Sequence, residues 1–516
     1  MPVAELSALA DEVIAECGRL PLALSVVGAM LRSETAEFWA DTLDLLRNAD
    51  LSAIEEQLPE GQDSFFKAVE VSFQSLKPEM QGRYEALAVL VEDMAAPLPL
   101  LRMLWDVSDS EARRIGRQLV DRSLAQRAGA DGGIRLHDLQ LDYVRAHYPE
   151  KEALEMIRGA VRLSSNAITT DPSQFPSQMV GRLMTFQEDS AVMLFANEVV
   201  ERASMRWLRP LHATLRPPEI SLISPLRQHS GAVCSVALSG DGRLAVSASW
   251  DHTLKVWDLA SGREPRTLES HRGPVYAVAL SWDGRLAVSA SENRTLMVWN
   301  PVSRYYLRTL TGHTGPVNAV ALSGDGRLAI SASWGGTVKV WDIGGGHELR
   351  TFTAHDLSVY GVALSGDGQL AVSVSEDRTL KVWEVSSSCR LRTLTGHTGP
   401  VTAVALSADG RLAVSASADQ TLKVWDLKTG RELRTLTGHA SSVTAVAVTA
   451  NGQHAVSASH DNTVKLWNLE TGEVRATFTC DTAARCCAYS DALKLIVAGD
   501  AGGHVHFLRL EEPEKQ

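Results

Sequence analysis

A unit of 42 residues recurs through the second half of the chain, and no other feature restricts the fold as strongly. The stretch "TLTGHTGPVNAVALSGDGRLAISASWGGTVKVWDIGGGHELR" (309–350) returns as "TLTGHTGPVTAVALSADGRLAVSASADQTLKVWDLKTGRELR" (393–434). His229, His271, His313, His355, His397 and His439 keep this period, and Trp257, Trp299, Trp341, Trp383, Trp425 and Trp467 keep step with them. Self-similarity at a fixed period of this size marks a repeat architecture. Within a unit, "VNAVALS", "RLAISAS" and "TVKVWDI" are short apolar or alternating runs bounded by Gly, Asp and Asn, which predicts strands. "GDG" and "ADG" supply tight turns that need positive φ, and "ELRTLT" gives a fourth strand. One such sheet cannot bury both faces alone, so the copies must stack around an axis.

These residues resemble the WD-repeat family over 218–512. The resemblance implies a seven-bladed β-propeller with six clear repeats. A worn seventh, "AARCCAYSDALKLIVAGDAGGHVHFLRL", aligns with one residue deleted. Its fourth strand is expected from "EISLISPL" (219–226), which would close the ring and remove its open edges. By the family pattern, His229, Ser247, Asp251 and Trp257 form a hydrogen-bonded chain inside the first blade. His397, Ser415, Asp419 and Trp425 do the same in the fifth. The six copies of His and Ser, four of them with the Asp, are therefore structural tetrads and not catalytic groups, since a buried relay satisfies every polar group it contains. The tetrad is broken by Asn293 in blade two, by Gly335 in blade three, and by Gly502 with Leu508 in blade seven. Those blades should be the softer ones.

Function in a propeller resides on positions that vary along one rim. The residue before the blade Asp reads Trp250, Glu292, Trp334, Glu376, Ala418, His460 and Ala501. The residue early in the first strand reads Cys234, Tyr276, Asn318, Tyr360, Thr402, Thr444 and Arg485. On the family's geometry both series face the same rim. Trp and Tyr interleaved with carboxylates have the composition of a protein-binding hot spot. Trp250, Trp334, Tyr276, Tyr360, Glu292, Glu376, His460 and Arg485 are therefore the candidate partner contacts.

Charge is uneven. Residues 1–217 hold 33 acidic and 22 basic side chains, and the remainder hold 29 and 28, so the front is acidic and the back nearly neutral. Neither half carries the basic stripe that phosphate-backbone binding requires, which disfavours nucleic acid. The opening residues lack a basic n-region and an apolar h-region, and no run of about 18 uncharged apolar residues occurs. Cys480, Cys486 and Cys487 cluster without zinc-site spacing, and no metal is expected. Cytoplasmic residence is expected.

The front half has helical periodicity. "ELSALADEVIAECG" is stopped by Gly18, "LPLALSVVGAMLR" starts with Pro21 near its first position, and "SDSEARRIGRQLVDRSL" offers Ser108 or Ser110 as an N-cap. "LAQRA" and "GGIRLH" can pair around Asp131-Gly132-Gly133. Helices followed by such a hairpin describe a winged helix. The expected division is a helical domain (1–57), a winged helix (58–147), a second helical domain and linker (148–217), the propeller (218–512) and a tail (513–516).

"ECGRLPLALSVVGAML", "LWDVSDSEARRIGRQLVDRSL" and "LHDLQLDYV" together resemble the apoptotic protease-activating factor family of signal-transducing ATPases, over about 5–147. The resemblance implies that Pro21 packs on adenine. It implies too that His137, with Asp138 beside it and Leu136 where Met is usual, reaches a nucleotide phosphate. Yet no G-x-x-x-x-G-K-[ST] occurs to cradle that phosphate. No cofactor is expected for this chain alone, and ADP or ATP only in a longer form. Residue chemistry gives Pro21 a plainer role as a helix-start proline, and His137 with Asp138 one as a cap. The expectation is a non-enzymatic sensor and scaffold. Its propeller binds a protein partner, docks on the helical arm and controls a switch with activation-dependent oligomerisation. The alternatives are a stand-alone WD-repeat adaptor with a vestigial arm, or a piece of a longer ADP/ATP-binding ATPase.

Overall fold

The computed structural model describes residues 3–31, 36–49, 63–90, 95–105, 107–129, 133–146, 151–186, 190–203, 205–217, 228–259, 265–269, 271–303 and 305–512. They fall into two compact units, Met1–Ser204 and a second that joins Met205–Arg216 to the residues from Ile223 onward.

The first unit is helical: α1 (Val3–Glu16), α2 (Pro21–Met30), α3 (Ala36–Asn48), α4 (Asp63–Gln74), α5 (Pro78–Glu85), α6 (Leu98–Trp105), α7 (Asp109–Asp121), α8 (Asp138–Ala146), α9 (Lys151–Thr170), α10 (Phe175–Leu183) and α11 (Ser190–Glu201). Gly18, at φ +59°, ends α1 where a Cβ would press on Ser64. Pro21 heads α2 without losing a helical hydrogen bond. Of the two candidate caps for α7, Ser108 takes the part, accepting from the Glu111 backbone N–H. Strands β1 (Gln126–Ala128) and β2 (Gly133–Arg135) pair antiparallel as the expected hairpin, and its tip, Asp131-Gly132, lies outside the described residues. Ile134 also bridges to Ala96. One apolar cluster runs through the unit, from Val13, Val27 and Leu43 through Phe66, Tyr84, Ile115 and Leu141 to Ile157, Met179 and Val192. The stretches expected as three domains thus share a core.

The second unit is a ring of seven four-stranded antiparallel sheets. Blades one to six occupy 233–269, 275–311, 317–353, 359–394, 401–436 and 443–479. Their second strands, such as Leu412–Ser417, are almost wholly buried because neighbouring blades cover both faces. Gly326, at φ +69°, sits in the "GDG" turn of blade three, in the left-handed region that glycine adopts freely.

Blade seven corrects the expected closure. Its fourth strand is β3 (Trp207–Pro210), paired with Val505–Glu511 from Trp207↔Glu511 to Pro210↔Leu508. The expected 219–226 lies outside the described residues, and the propeller takes in residues ahead of the expected boundary at 218. Trp207 and Leu208 are buried, and Pro210 is tolerated because the outermost strand has one unpaired side. Closure joins the first strand of the ring to its last, which leaves no open sheet ends between blades.

Four tetrads are complete. In blade five, Trp425 Nε1 donates to Ser415 Oγ at 2.8 Å, Ser415 meets His397 Nε2 at 2.8 Å, and His397 Nδ1 meets Asp419 at 2.8 Å. His229, Ser247, Asp251 and Trp257 repeat this in blade one, as do blades four and six around His355 and His439. The aspartate only accepts, so Nδ1 carries the proton, Nε2 accepts from Ser, and Ser accepts from Trp. Blades two and three keep His, Ser and Trp. Among the described residues, however, Nδ1 of His271 and of His313 has no hydrogen-bond partner. Blade seven replaces the tetrad with a different buried set: Asp500 accepts from His504 and from His506 Nε2 at 3.2 Å, and His506 Nδ1 meets Thr214 at 2.6 Å.

Burial pulls His271 and His313 down to about 4. Burial lowers His355 and His397 as well, against the pull of their aspartates. Between pH 6.5 and 4 the unfolded chain therefore binds protons that the native ring refuses, so stability rises with pH across that window. The contribution is present above 6.5 and lost as pH falls toward 4, about 3 kcal/mol for each of His271 and His313. Burial works to raise Asp251 and Asp461, but hydrogen bonds from His and Thr outweigh it and hold both well below the usual carboxylate range. Their stabilisation is present above about pH 4 and lost only below it. Urea unfolding followed by tryptophan fluorescence should show a lower midpoint at pH 4.5 than at pH 7. Equal midpoints would contradict the burial of neutral histidines.

Candidate protein-binding rim

One backbone hydrogen bond fixes the rim in every blade. The residue that follows the second strand donates its N–H to the carbonyl just before the first strand: Trp250 to Ala232 at 3.0 Å, Glu292 to Pro274 at 3.1 Å and Trp334 to Pro316 at 3.1 Å. Glu376, Ala418, His460 and Ala501 do likewise at 3.0, 2.9, 2.9 and 2.9 Å. The seven variable residues therefore stand at the same end of their blades, and the first-strand series lies beside them.

Among the described rim residues, two side-chain pairs cross between blades. Tyr276 of blade two stacks on Trp334 of blade three, ring centres 6.3 Å apart and planes 18° apart. Arg485 of blade seven lies over the Trp250 ring of blade one at 4.5 Å, a cation–π contact. Trp250 is 43% exposed and Trp334 49%, so each tryptophan is braced on one side and open on the other. Burial and the Glu292 charge raise the Tyr276 phenol. Burial and Glu376 do the same for Tyr360. Burial, then the charge of Arg485, lowers His460.

The rim is lopsided. Asn318, Thr402 and Thr444 turn their side chains to the neighbouring blade, donating to Val359, Val443 and Ala484 carbonyls. They stitch blades together. The aromatic part runs over blades one to four with Arg485 at its margin, while blades five and six offer Ala418 and His460.

Sequence comparison missed two surface features. Trp282 is 67% exposed at the turn between the first and second strands of blade two, hence at the opposite end of the blade. Its ring covers Gly240, whose added Cβ would lie 2.1 Å from it. The signal was available, because the equivalent positions read Gly240, Gly324, Gly366, Ala408 and Ala450. On the outer strand of blade two, Tyr305 is 71% exposed beside exposed Val302, Tyr306 and Leu307.

In the helical unit, His137 caps α8. Its carbonyl accepts from the Gln140 and Leu141 N–H groups, its Nδ1 accepts from the Leu139 N–H, and the Gln140 side chain accepts from the His137 N–H. Gln140 also donates to the Ser123 carbonyl, and Ser25 of α2 donates to Ser123 Oγ. Ser123 thus ties the helix begun by Pro21 to the helix capped by His137, a connection that sequence spacing did not reveal. Pro21 itself is exposed. Nδ1 of His137 is thus engaged in the cap. Among the described residues no group of His, Cys, Asp and Glu could hold a metal ion, and no helix is long and apolar enough to cross a membrane.

The family model described as WD domain, G-beta repeat matches 220–258, 262–300, 304–342, 346–384, 388–426 and 430–468. Apoptotic protease-activating factor 1 of Mus musculus is 31% identical over 142 residues, 27% of this chain and 11% of the relative. The Homo sapiens protein of that name is 30% identical over 146 residues, 28% of this chain and 12% of the relative. Disease resistance protein ADR1 of Arabidopsis thaliana is 28% identical over 120 residues, 22% of this chain and 15% of the relative. The chain therefore spans only 11–12% of the length of the two apoptotic relatives. A helical region followed by a WD-repeat propeller fits an apoptotic protease-activating factor-like C-terminal part.

The contact between Gly240 and Trp282 is testable by a double-mutant cycle. Gly240→Ala should destabilise the ring in the presence of Trp282 and have little effect in a Trp282→Ala background. Equal effects in both would show that the ring does not depend on this packing.

Proposed function

We propose that the propeller is the recognition module of a signalling protein, taking a protein partner on the aromatic side of its rim. The observation that carries this is the bracing of two half-exposed tryptophans by side chains of adjacent blades, Tyr276 on Trp334 and Arg485 over Trp250. Anchors held in place before contact lose less side-chain entropy on binding, and aromatic and Arg residues are the usual carriers of interface energy. Glu292, Glu376 and Tyr360 line the same side, and His460, which feels the charge of Arg485, stands at its margin; together they give the partner polar contacts. WD-repeat propellers are typically non-enzymatic. The tetrads, with their His and Ser buried and engaged, supply no free nucleophile.

The similarity to apoptotic protease-activating factor 1 supports placing this recognition in a switch. Partner binding at the rim shifts the chain between a resting state, with the propeller held on the helical arm, and a released state that oligomerises. Pro21 and His137 belong to the nucleotide side of that reading. They contact ADP or ATP only where a phosphate cradle is supplied, since a proline and one imidazole nitrogen cannot hold a triphosphate. Cytoplasmic residence goes with the same reading.

The experiment is capture of interacting proteins by the tagged chain and by a Trp250→Ala/Trp334→Ala variant. Circular dichroism and unfolding midpoints confirm that both are folded. Partner capture should fall by at least tenfold, in line with the loss of about 2 kcal/mol expected for each hot-spot residue. Unchanged capture sinks the rim assignment.

A further inference from the structure

Blade three differs from the complete blades by one missing carboxylate, and its donors are still in place. In blades one, five and six the aspartate is held the same way. One oxygen takes His Nδ1–H and the backbone N–H of the next residue: Ser230 at 3.0 Å, Thr398 at 2.9 Å or Ala440 at 2.9 Å. The other oxygen takes the N–H and the hydroxyl of a threonine, at 2.9 and 2.6 Å for Thr253 and 3.0 and 2.6 Å for Thr421. Blade three keeps the histidine, its successor Thr314 and the threonine Thr337, but has Gly335 in the carboxylate's place.

The turn has not collapsed around that loss. Gly335 N–H donates to Ser333 Oγ at 3.3 Å, as Asp419 N–H does to Ser417 Oγ at 3.1 Å. Gly336 N–H reaches the Ser333 carbonyl at 3.2 Å, as Gln420 N–H reaches that of Ser417 at 3.3 Å. An ideal Cβ on Gly335 meets nothing closer than Thr314 Oγ1 at 3.7 Å. His313 is 7% exposed and its Nδ1 has no hydrogen-bond partner among the described residues. Blade two shows the contrast. There Asn293 fills the position, its oxygen accepting from Thr295 N–H at 3.2 Å and from the Thr295 hydroxyl at 2.7 Å.

We propose that this notch in blade three binds a carboxylate supplied from outside the chain, an Asp or Glu side chain of the protein partner that lies on Tyr276 and Trp334. The notch opens on the rim: Gly335 and Thr314 are exposed, and Trp334 is the adjacent residue. The entering group completes the His313–Ser331–Trp341 relay in trans. It is a carboxylate because two planar oxygens match two donor pairs, as blades one, five and six demonstrate, and charge-assisted hydrogen bonds of this kind are about twice as strong as neutral ones. Lys339 and Glu348 also face His313 and pair with each other at 2.6 Å, so neither competes for the notch. The identity of the occupant rests on the rim reading above. The carboxylate preference of the notch does not.

The test titrates sodium formate into the full chain carrying isotope-labelled histidine, with sodium chloride at matched ionic strength, and follows the His313 ring by NMR. A saturable shift with formate alone is expected, together with a rise in the pH at which His313 titrates. Gly335→Asp fills the notch from within, and Gly335→Asn closes it as Asn293 closes blade two. Both variants should abolish the formate response. A shift that does not saturate, that chloride reproduces, or that survives in both variants overturns the notch. Capture of the partner separates the two sources of carboxylate. Loss of at least tenfold in Gly335→Asp, with Tyr276 and Trp334 intact, supports a partner side chain. Undiminished capture beside a saturable formate shift overturns that occupant and leaves a site for small free carboxylates. If instead the Trp250→Ala/Trp334→Ala variant captures normally, the rim reading fails while the formate result stands on its own.

Discussion

The propeller depends on a buried hydrogen-bond relay that solves one problem in six of its seven blades. A large indole packed between sheets has one N–H that must be satisfied, and the nearest acceptor is a serine on the adjacent strand. That serine needs an acceptor for its own proton, which a neutral histidine provides, and the histidine's second nitrogen needs a carboxylate. Each member is placed by the need of the one before it, so the relay fixes tautomers, rotamers and the approach of the loop between blades together. Removing any link strands a buried donor or acceptor, at a cost of about 1–3 kcal/mol. Blade seven shows that the requirement is polar satisfaction and not the particular residues: Asp500, His504, His506 and Thr214 form another closed set where none of the usual four remains.

That constant frame gives the rim its meaning. Because a backbone bond holds the residue after each second strand at one height, substitution there changes chemistry without moving the chain. In the neighbouring first-strand series, Thr402 and Thr444 tie blades together, whereas Tyr276 pairs with Trp334 and Arg485 with Trp250, each leaving one face of the indole open. The division separates a side whose residues tie blades together from the side proposed for recognition.

The period of His and Trp made the ring, its blade number and the tetrads legible in the sequence, since each repeat independently reports the same constraint. Rim height was legible for the same reason. Ring closure was misplaced because Pro210 makes "RWLRPL" look unlike a strand, and only the one-sided pairing of an edge excuses it. The substitute network of blade seven was hidden because Thr214 lies 292 residues from His506 in sequence. In the helical unit, periodicity located most helices. It could not show that they share one core, nor that Ser123 joins the helix begun by Pro21 to the helix capped by His137, because those contacts span long sequence separations.

Blade three unites two departures from the repeat at one place on the rim: an added aromatic, Trp334, and a deleted carboxylate, Gly335. Neither improves the ring by itself, because an exposed indole buries little surface and an unpaired His313 Nδ1 is a standing penalty. Stability shared among seven similar blades tolerates such a local loss more readily than a single core would. Blade five, with a whole tetrad and Ala418 at the same height, lacks both departures. The energy withheld from the blade-three relay becomes available to whatever completes it. An incomplete tetrad beneath a braced aromatic is therefore better suited to recognising a partner than to stabilising the blade.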